Sequence, residues 1–207
     1  MWTGIQGLSE EVSETRMDVT DNVRAYVARL PEGVQAHIEQ VRLQAVSLAK
    51  VHRLDVERAE IAAIAHDVCR VIKAENLLEM AQRFKIHVSL IDRAFPVFLH
   101  GPVGAGFVKQ EFGLHDEEVL DAVRYHTVGR SGMKALEPAI FLADKLDPSK
   151  IRRYPFLPQV MEAAHRDLNE GMRDFIDNQA AVFLRNGDLI HPGMVAARND
   201  ALMALRD

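Results

Sequence analysis

Helical periodicity is what most constrains this 207-residue chain. Apolar residues return every three or four positions along most of its length, and runs alternating apolar with polar are scarce. From Val34 to His52 they fall at Val34, Ile38, Val41, Ala45 and Leu48, one face of a helix. A short helix starting at Asp21 precedes this one. Asp55 is an N-cap for the next, which runs through Ala59, Ala62, Ala63 and His66 to about Ile72. Leu77 to Phe84 and Val88 to Ala94 read as two shorter helices, broken by Pro96. Val103 to Phe112 stops at Gly113, and Asp116 caps a helix carrying Val119, Val123 and His126. Pro138 suits the first turn of a helix that reaches Leu146. One long amphipathic stretch runs from Val160 to Leu184, closed by Asn186-Gly187, and a last helix spans Met194 to Leu205. The expected fold class is all-α. Residues 1–20 read as a flexible leader, and 21–207 as a single helical domain with a C-terminal helical layer from about 158.

Length and composition narrow the function. A chain this long buries a full core, so no disulfide or structural metal is needed for folding alone. Hydrophobic residues at 48% and charged residues at 27% exclude wholesale disorder. The net charge of −5 argues against nucleic acid as the main partner, since phosphate backbones call for a basic face. It leaves room for a small anionic substrate, because a bound metal supplies positive charge locally. The single cysteine, Cys69, excludes an internal disulfide and a thiolate zinc cluster. No apolar run approaches the roughly 18 residues of a membrane span. Met1 to Met17 shows no apolar targeting core, so a cytoplasmic protein with no membrane partner is expected.

The chemistry lies among nine histidines, at 37, 52, 66, 87, 100, 115, 126, 165 and 191. His66-Asp67 follows Ile61-Ala62-Ala63-Ile64-Ala65, small and apolar, so this turn is expected to be buried. A buried carboxylate needs compensation, which a metal cation provides. His37 shares a helix face with Val41 and Leu48, and His126 one with Val119 and Val123. Asp144 ends the apolar run Ala139-Ile140-Phe141-Leu142-Ala143. One metal centre would account for all of these; otherwise each needs its own hydrogen-bond partner. His52, His87, His115 and His165 read as surface groups, His191 as a cap of the last helix, and Cys69 as a small buried thiol.

The order His37, His66-Asp67, Asp144 resembles the HD-domain metal-dependent phosphohydrolases, and His100 and His126 in between mark their two-metal branch. Three blocks are more specific: His100-Gly101-Pro102-Val103-Gly104-Ala105, then Arg124-Tyr125-His126-Thr127-Val128-Gly129-Arg130-Ser131-Gly132-Met133, then Leu142-Ala143-Asp144-Lys145-Leu146-Asp147-Pro148. With Leu189-Ile190-His191-Pro192, they resemble the YqeK family, from about Val34 onward. The resemblance implies an HD-domain helical bundle and symmetrical hydrolysis of diadenosine tetraphosphate into two ADP by a hydroxide bridging two metals. It implies two divalent ions, iron first, with manganese, zinc or nickel also suited to these ligands. One ion would take His37, His66, Asp67 and Asp144; the other Asp67, His100 and His126. His66, Asp67 and Arg70 would be the catalytic group, Arg70 standing where the family usually has lysine. Gly101, Thr127, Arg130 and Lys145 are the substrate-binding set. Gly101 equally suits a tight helix entry, and Lys145 equally reaches solvent. A homodimer is compatible with the resemblance. The competing readings are an HD phosphohydrolase for mononucleotides or cyclic dinucleotides, and a silent metal-binding interaction module.

Overall fold

The computed structural model describes residues 19–147 and 150–206. Among these there is no strand. Helix α1 is described over 19–27; then come α2 (Glu32–Val51), α3 (Val56–Ala65), α4 (Ala74–Arg83) and α5 (Leu90–Ala94). A 3-10 turn (Pro96–Leu99) leads into α6 (His100–Phe112), followed by α7 (Glu117–Tyr125) and α8 (Leu136–Lys145). The chain continues through α9 (Leu157–Arg166), α10 (Leu168–Asn186) and α11 (Pro192–Ala204).

Two helices bury most of their residues and lie at the centre. In α8, every residue from Leu136 to Asp144 is buried. In α3, Ala59 and Ile61 to Ala65 are buried. Helices α2 and α7 each pack against both, and α6 lies on α7. Helix α10 packs between α9 and α11 and also touches α8, which seats the C-terminal layer on the same core.

Two departures from the periodicity exceed a helical turn. Helix α3 ends at Ala65 rather than near Ile72, and residues 66–71 continue as turns. The apolar signal persists there because Val68 and Cys69 remain buried without being helical. The stretch from Val160 to Leu184 is two helices, not one. Asp167 breaks it at φ −154° and ψ 130°, and its carboxylate accepts from the Asn169 and Glu170 backbone N–H groups. That is an N-cap inside a continuous hydrophobic pattern, and the chain reverses there. The leader expected over 1–20 lies outside the described residues, except that 19 and 20 are helical and Val19 is buried.

Of two glycines on α6, Gly101 sets how closely it approaches α7 and Gly104 does not. A Cβ at Gly101 would meet the Arg124 carbonyl oxygen at 2.9 Å and that of Val123 at 3.1 Å. A Cβ at Gly104 would meet only side-chain and backbone atoms at 3.6 Å and beyond. Backbone cannot yield as a side chain tip does, so the same substitution should have opposite signs. Gly104→Ala should be neutral or stabilise by up to about 1 kcal/mol through helix propensity. Gly101→Ala should destabilise by about 1–3 kcal/mol through overpacking. Urea unfolding of the two variants measures both.

Candidate metal centre

The central helices end at one place. His66 follows the last residue of α3, His126 follows the last of α7, and Asp144 lies in the last turn of α8. Helix C-termini carry partial negative charge from their unpaired carbonyls, which favours a cation beside them. His100, the first residue of α6, and His37, within α2, complete the ring.

Every histidine in the ring is oriented by its Nδ1. The His66 Nδ1–H donates to the Ala63 carbonyl at 2.6 Å, and the His126 Nδ1–H to the Val123 carbonyl at 2.7 Å. The His100 Nδ1–H donates to the Val97 carbonyl. In each case the acceptor lies three residues back. Carbonyl oxygens only accept, so in His66, His100 and His126 the proton sits on Nδ1 and the Nε2 lone pair is free. This is how ligand histidines are usually oriented. His37 instead faces a carboxylate at each nitrogen, Asp147 at Nδ1 and Asp144 at Nε2, both at 3.1 Å.

The Nε2 atoms converge in two sets around Asp67. Its Oδ2 lies 3.5 Å from His66 Nε2 and 3.6 Å from His37 Nε2. Asp144 Oδ1 joins that set at 3.1 Å from His37 Nε2. The other oxygen, Oδ1, lies 3.1 Å from His100 Nε2 and 3.6 Å from His126 Nε2. Those two nitrogens are 3.0 Å apart. With their Nδ1 protons engaged, both are acceptors, and two acceptors so close call for a positive centre between them. Two donors bound at about 2.1 Å to one ion in a tetrahedral to right-angled arrangement lie about 3.0–3.4 Å apart. His66 Nε2 is the sharper test. Among the described residues it is the buried side-chain polar atom without a hydrogen-bond partner. The two groups, His37-His66-Asp67 and Asp67-His100-His126, therefore fit a pair of divalent ions sharing one carboxylate.

Electrostatics agree. Burial holds the His66 imidazole below its ordinary value and pushes His126 down to about 4, so both rings are neutral, the ligating form, near pH 7. His37 goes the other way: burial opposes its charge, and the neighbouring Asp144 outweighs burial. Against burial, Asp67 is held well below the usual carboxylate range where His66, His100 and His126 present protons to it; with those protons on Nδ1, a cation takes over that role. For Asp144 the same is achieved against burial chiefly by Lys145 and His37.

The six expected ligands are thus brought together. The other expected site residues divide. Thr127 Oγ1 lies 3.3 Å from His100 Nε2 and 3.2 Å from His126 Nε2. Lys145 Nζ is 2.6 Å from Asp144 Oδ2, and Arg70 Nε is 3.9 Å from Asp67 Oδ2. All three line a cavity of about 520 Å³ over the carboxylates. Arg130 does not. Its guanidinium grips the buried Glu137 through Nε at 2.8 Å and NH2 at 2.7 Å, reaches Asp121 at 3.2 Å, and stacks on Tyr125. The fork expected to hold phosphate instead fastens the loop after α7 to α8. Gly101 sits beneath α7, where its lack of a side chain serves packing. His52 is not a surface group, since its Nε2–H donates to the Ala164 carbonyl at 2.7 Å. His191 does cap α11, accepting from the Gly193 N–H at 3.0 Å.

Two residues escaped the sequence reading. Asp147 orients His37, and Lys150 reaches the Asp144 carbonyl at 2.9 Å and its carboxylate at 3.6 Å. Asp147-Pro148 reads as a helix stop. The available signal was the spacing: Asp147 lies one turn beyond Asp144, on the side facing α2.

Comparison with known proteins agrees with this geometry. Residues 34–149 match the HD domain family. The symmetrical bis(5'-nucleosyl)-tetraphosphatase of Bacillus subtilis is 36% identical over 164 residues, 79% of this chain and 87% of that one. Its counterpart from Halalkalibacterium halodurans is 34% identical over 82% of this chain and 94% of that one. A solved structure from Clostridium acetobutylicum, described as a predicted HD superfamily hydrolase involved in NAD metabolism, superposes with TM-score 0.83 at 30% identity. The match covers 89% of this chain and 97% of that one. The chain belongs to the HD-domain hydrolases, and within them to the symmetrical bis(5'-nucleosyl)-tetraphosphatases of the YqeK type. No described helix is long and apolar enough to cross a membrane.

Two outcomes follow from the ligand geometry. Asp67→Asn keeps one oxygen but replaces the other with an amide that cannot ligate. Elemental analysis of anaerobically purified protein should show metal content reduced by half or more, with an unchanged helical circular dichroism spectrum. The second concerns pH. Unfolded, His126 takes a proton near 6.5; folded, it resists until about 4. Between those values the unfolded chain binds more protons, so the contribution is complete above 6.5 and lost as pH falls toward 4. The urea midpoint of metal-free wild type should therefore drop more steeply over this window than that of metal-free His126→Gln.

Proposed function

We propose that this chain hydrolyses dinucleoside polyphosphates, splitting diadenosine tetraphosphate symmetrically into two ADP in the cytoplasm, with iron as the first choice of metal. The observation that carries the reading is the paired donor set sharing Asp67 at the floor of an open cavity with cations on its walls. The names of the related enzymes support the substrate. When bound, two such ions lower the pKa of a water and stabilise charge on phosphoryl oxygens.

The chain's own residues supply the rest. His37, His66, Asp67 and Asp144 would hold one ion, and Asp67, His100 and His126 the other. Lys145 and Lys150 rest on Asp144, and each can turn its ammonium to an incoming phosphate. Arg70 stands 45% exposed at the cavity wall, where a guanidinium can engage two phosphoryl oxygens at once. Thr127 offers a hydroxyl within reach of both His100 and His126. Symmetric cleavage breaks the central phosphoanhydride. A water oxygen bonds to the phosphorus on one side of the bridge, the bridging oxygen leaves with the other half, and each half is ADP.

Chromatography of early products tests this. Wild type should give ADP alone from diadenosine tetraphosphate; ATP with AMP would overturn the symmetric assignment. Brisk turnover of a mononucleotide with none of the dinucleotide would favour the other HD reading. Lys145→Ala should raise KM about tenfold or more while leaving metal content unchanged, the loss of one charge-assisted contact to phosphate.

A further inference from the structure

A second cavity of about 350 Å³ adjoins the first and shares Phe98, Thr127, Lys145 and Lys150 with it. Its character is different. The charged cavity is walled by ligands and lysines, whereas this one is mostly apolar, with Phe98, Tyr154, Phe175 and Phe183 among its lining. That size and lining suit a small, flat, aromatic ligand. Among these rings is one amide. Gln179 lines the cavity and is 7% exposed, on the buried face of α10 with Gly171, Met172, Phe175 and Ile176. Among the described residues its amide makes no hydrogen bond. A glutamine on the buried face of an amphipathic helix is costly unless something answers its donor and acceptor.

We infer that this cavity seats one nucleobase of the substrate and that Gln179 reads the base's hydrogen-bonding edge. This deepens the proposed dinucleoside polyphosphate reading and rests on it. A carboxamide presents an N–H donor beside a C=O acceptor, the complement of adenine's amino group and adjacent ring nitrogen. The aromatic rings provide stacking faces, which tolerate any base and favour the larger purines. Lys145 and Lys150, common to both cavities, lie where a phosphate chain passes from the base to the carboxylates. Thr127 and Tyr154 each offer a single hydroxyl, whereas Gln179 presents a donor and an acceptor side by side on two atoms, so discrimination falls to Gln179, and the rings supply affinity.

The test uses full-length protein and three probes in calorimetric titrations: ADP, the 5'-diphosphate of purine riboside (which lacks the amino group), and inorganic tripolyphosphate. Wild type should bind ADP about tenfold more tightly than the purine riboside compound, which keeps the ring nitrogen and loses the amino donor. In Gln179→Leu that preference should vanish, ADP should bind about tenfold more weakly than to wild type, and tripolyphosphate should bind unchanged. Gln179→Met is the second variant, and an unchanged melting temperature and metal content qualify either. An unaltered ADP preference in a folded variant would overturn the inference. So would equal weakening of all three probes, which marks a structural role for the side chain. Failure of the parent reading looks different: wild type itself would neither cleave diadenosine tetraphosphate nor bind ADP.

Discussion

Asp67 is the group on which the site depends. It is a carboxylate 4% exposed, with each oxygen facing a different pair of imidazole nitrogens. Three of the four imidazoles, His66, His100 and His126, present lone pairs, not protons, because their Nδ1 hydrogens are already given to backbone carbonyls. Buried lone pairs and buried carboxylate oxygens pointed at one another repel unless cations lie between them. Metal binding is therefore demanded by tautomers as much as by residue identity. The second layer, three backbone carbonyls, fixes those tautomers.

The fold positions that layer economically. Two largely buried helices, α3 and α8, run through the core, and their C-terminal ends, with that of α7, open on one cavity. A histidine following a helix can turn its Nδ1 back to a carbonyl that the helix leaves unpaired, and His66 and His126 both do so. Orientation of the ring and satisfaction of the helix end are thus the same hydrogen bond. Arg130 belongs to this scaffold. Glu137 is 1% exposed, and the guanidinium that neutralises it ties the segment bearing His126 and Thr127 to α8. A residue in a glycine-bearing loop after a ligand can serve phosphate or structure, and a buried carboxylate nearby decides for structure.

The two adjoining cavities divide recognition by chemistry. One is lined by anions and cations and suits a polyphosphate. The other combines aromatic rings and one amide with cations at its rim, and suits a base. The lysines they share draw density from Asp144: Lys145 also stacks on Phe141, and Lys150 also reaches a backbone carbonyl. Both ammonium groups are thus held at the junction before any phosphate arrives, which limits the side-chain entropy lost on binding.

By itself, the sequence determined the helical class and singled out the six histidines and aspartates that the fold gathers at one place. A 3.6-residue period is a local property, and a histidine or aspartate interrupting an apolar run is visible without coordinates. Blocks such as His100 to Ala105 carried the family because their residue order is specific. What only the tertiary structure decided was everything that depends on a partner distant in sequence. The break at Asp167 was hidden because apolar periodicity continued through it, although Glu170 three residues later was a cap signal. The contacts of Arg130 were hidden because its partner Glu137 reads as an ordinary first-turn acid, and only its burial turns the pair into a clasp. Asp147 and Lys150 were missed because orienting a histidine 110 residues away leaves no periodic trace. Gln179 was passed over for the same reason: an amide on an amphipathic helix gains meaning only from the rings that other helices bring beside it. Local spacing encodes which faces are buried; what a buried polar group faces is set by packing between helices.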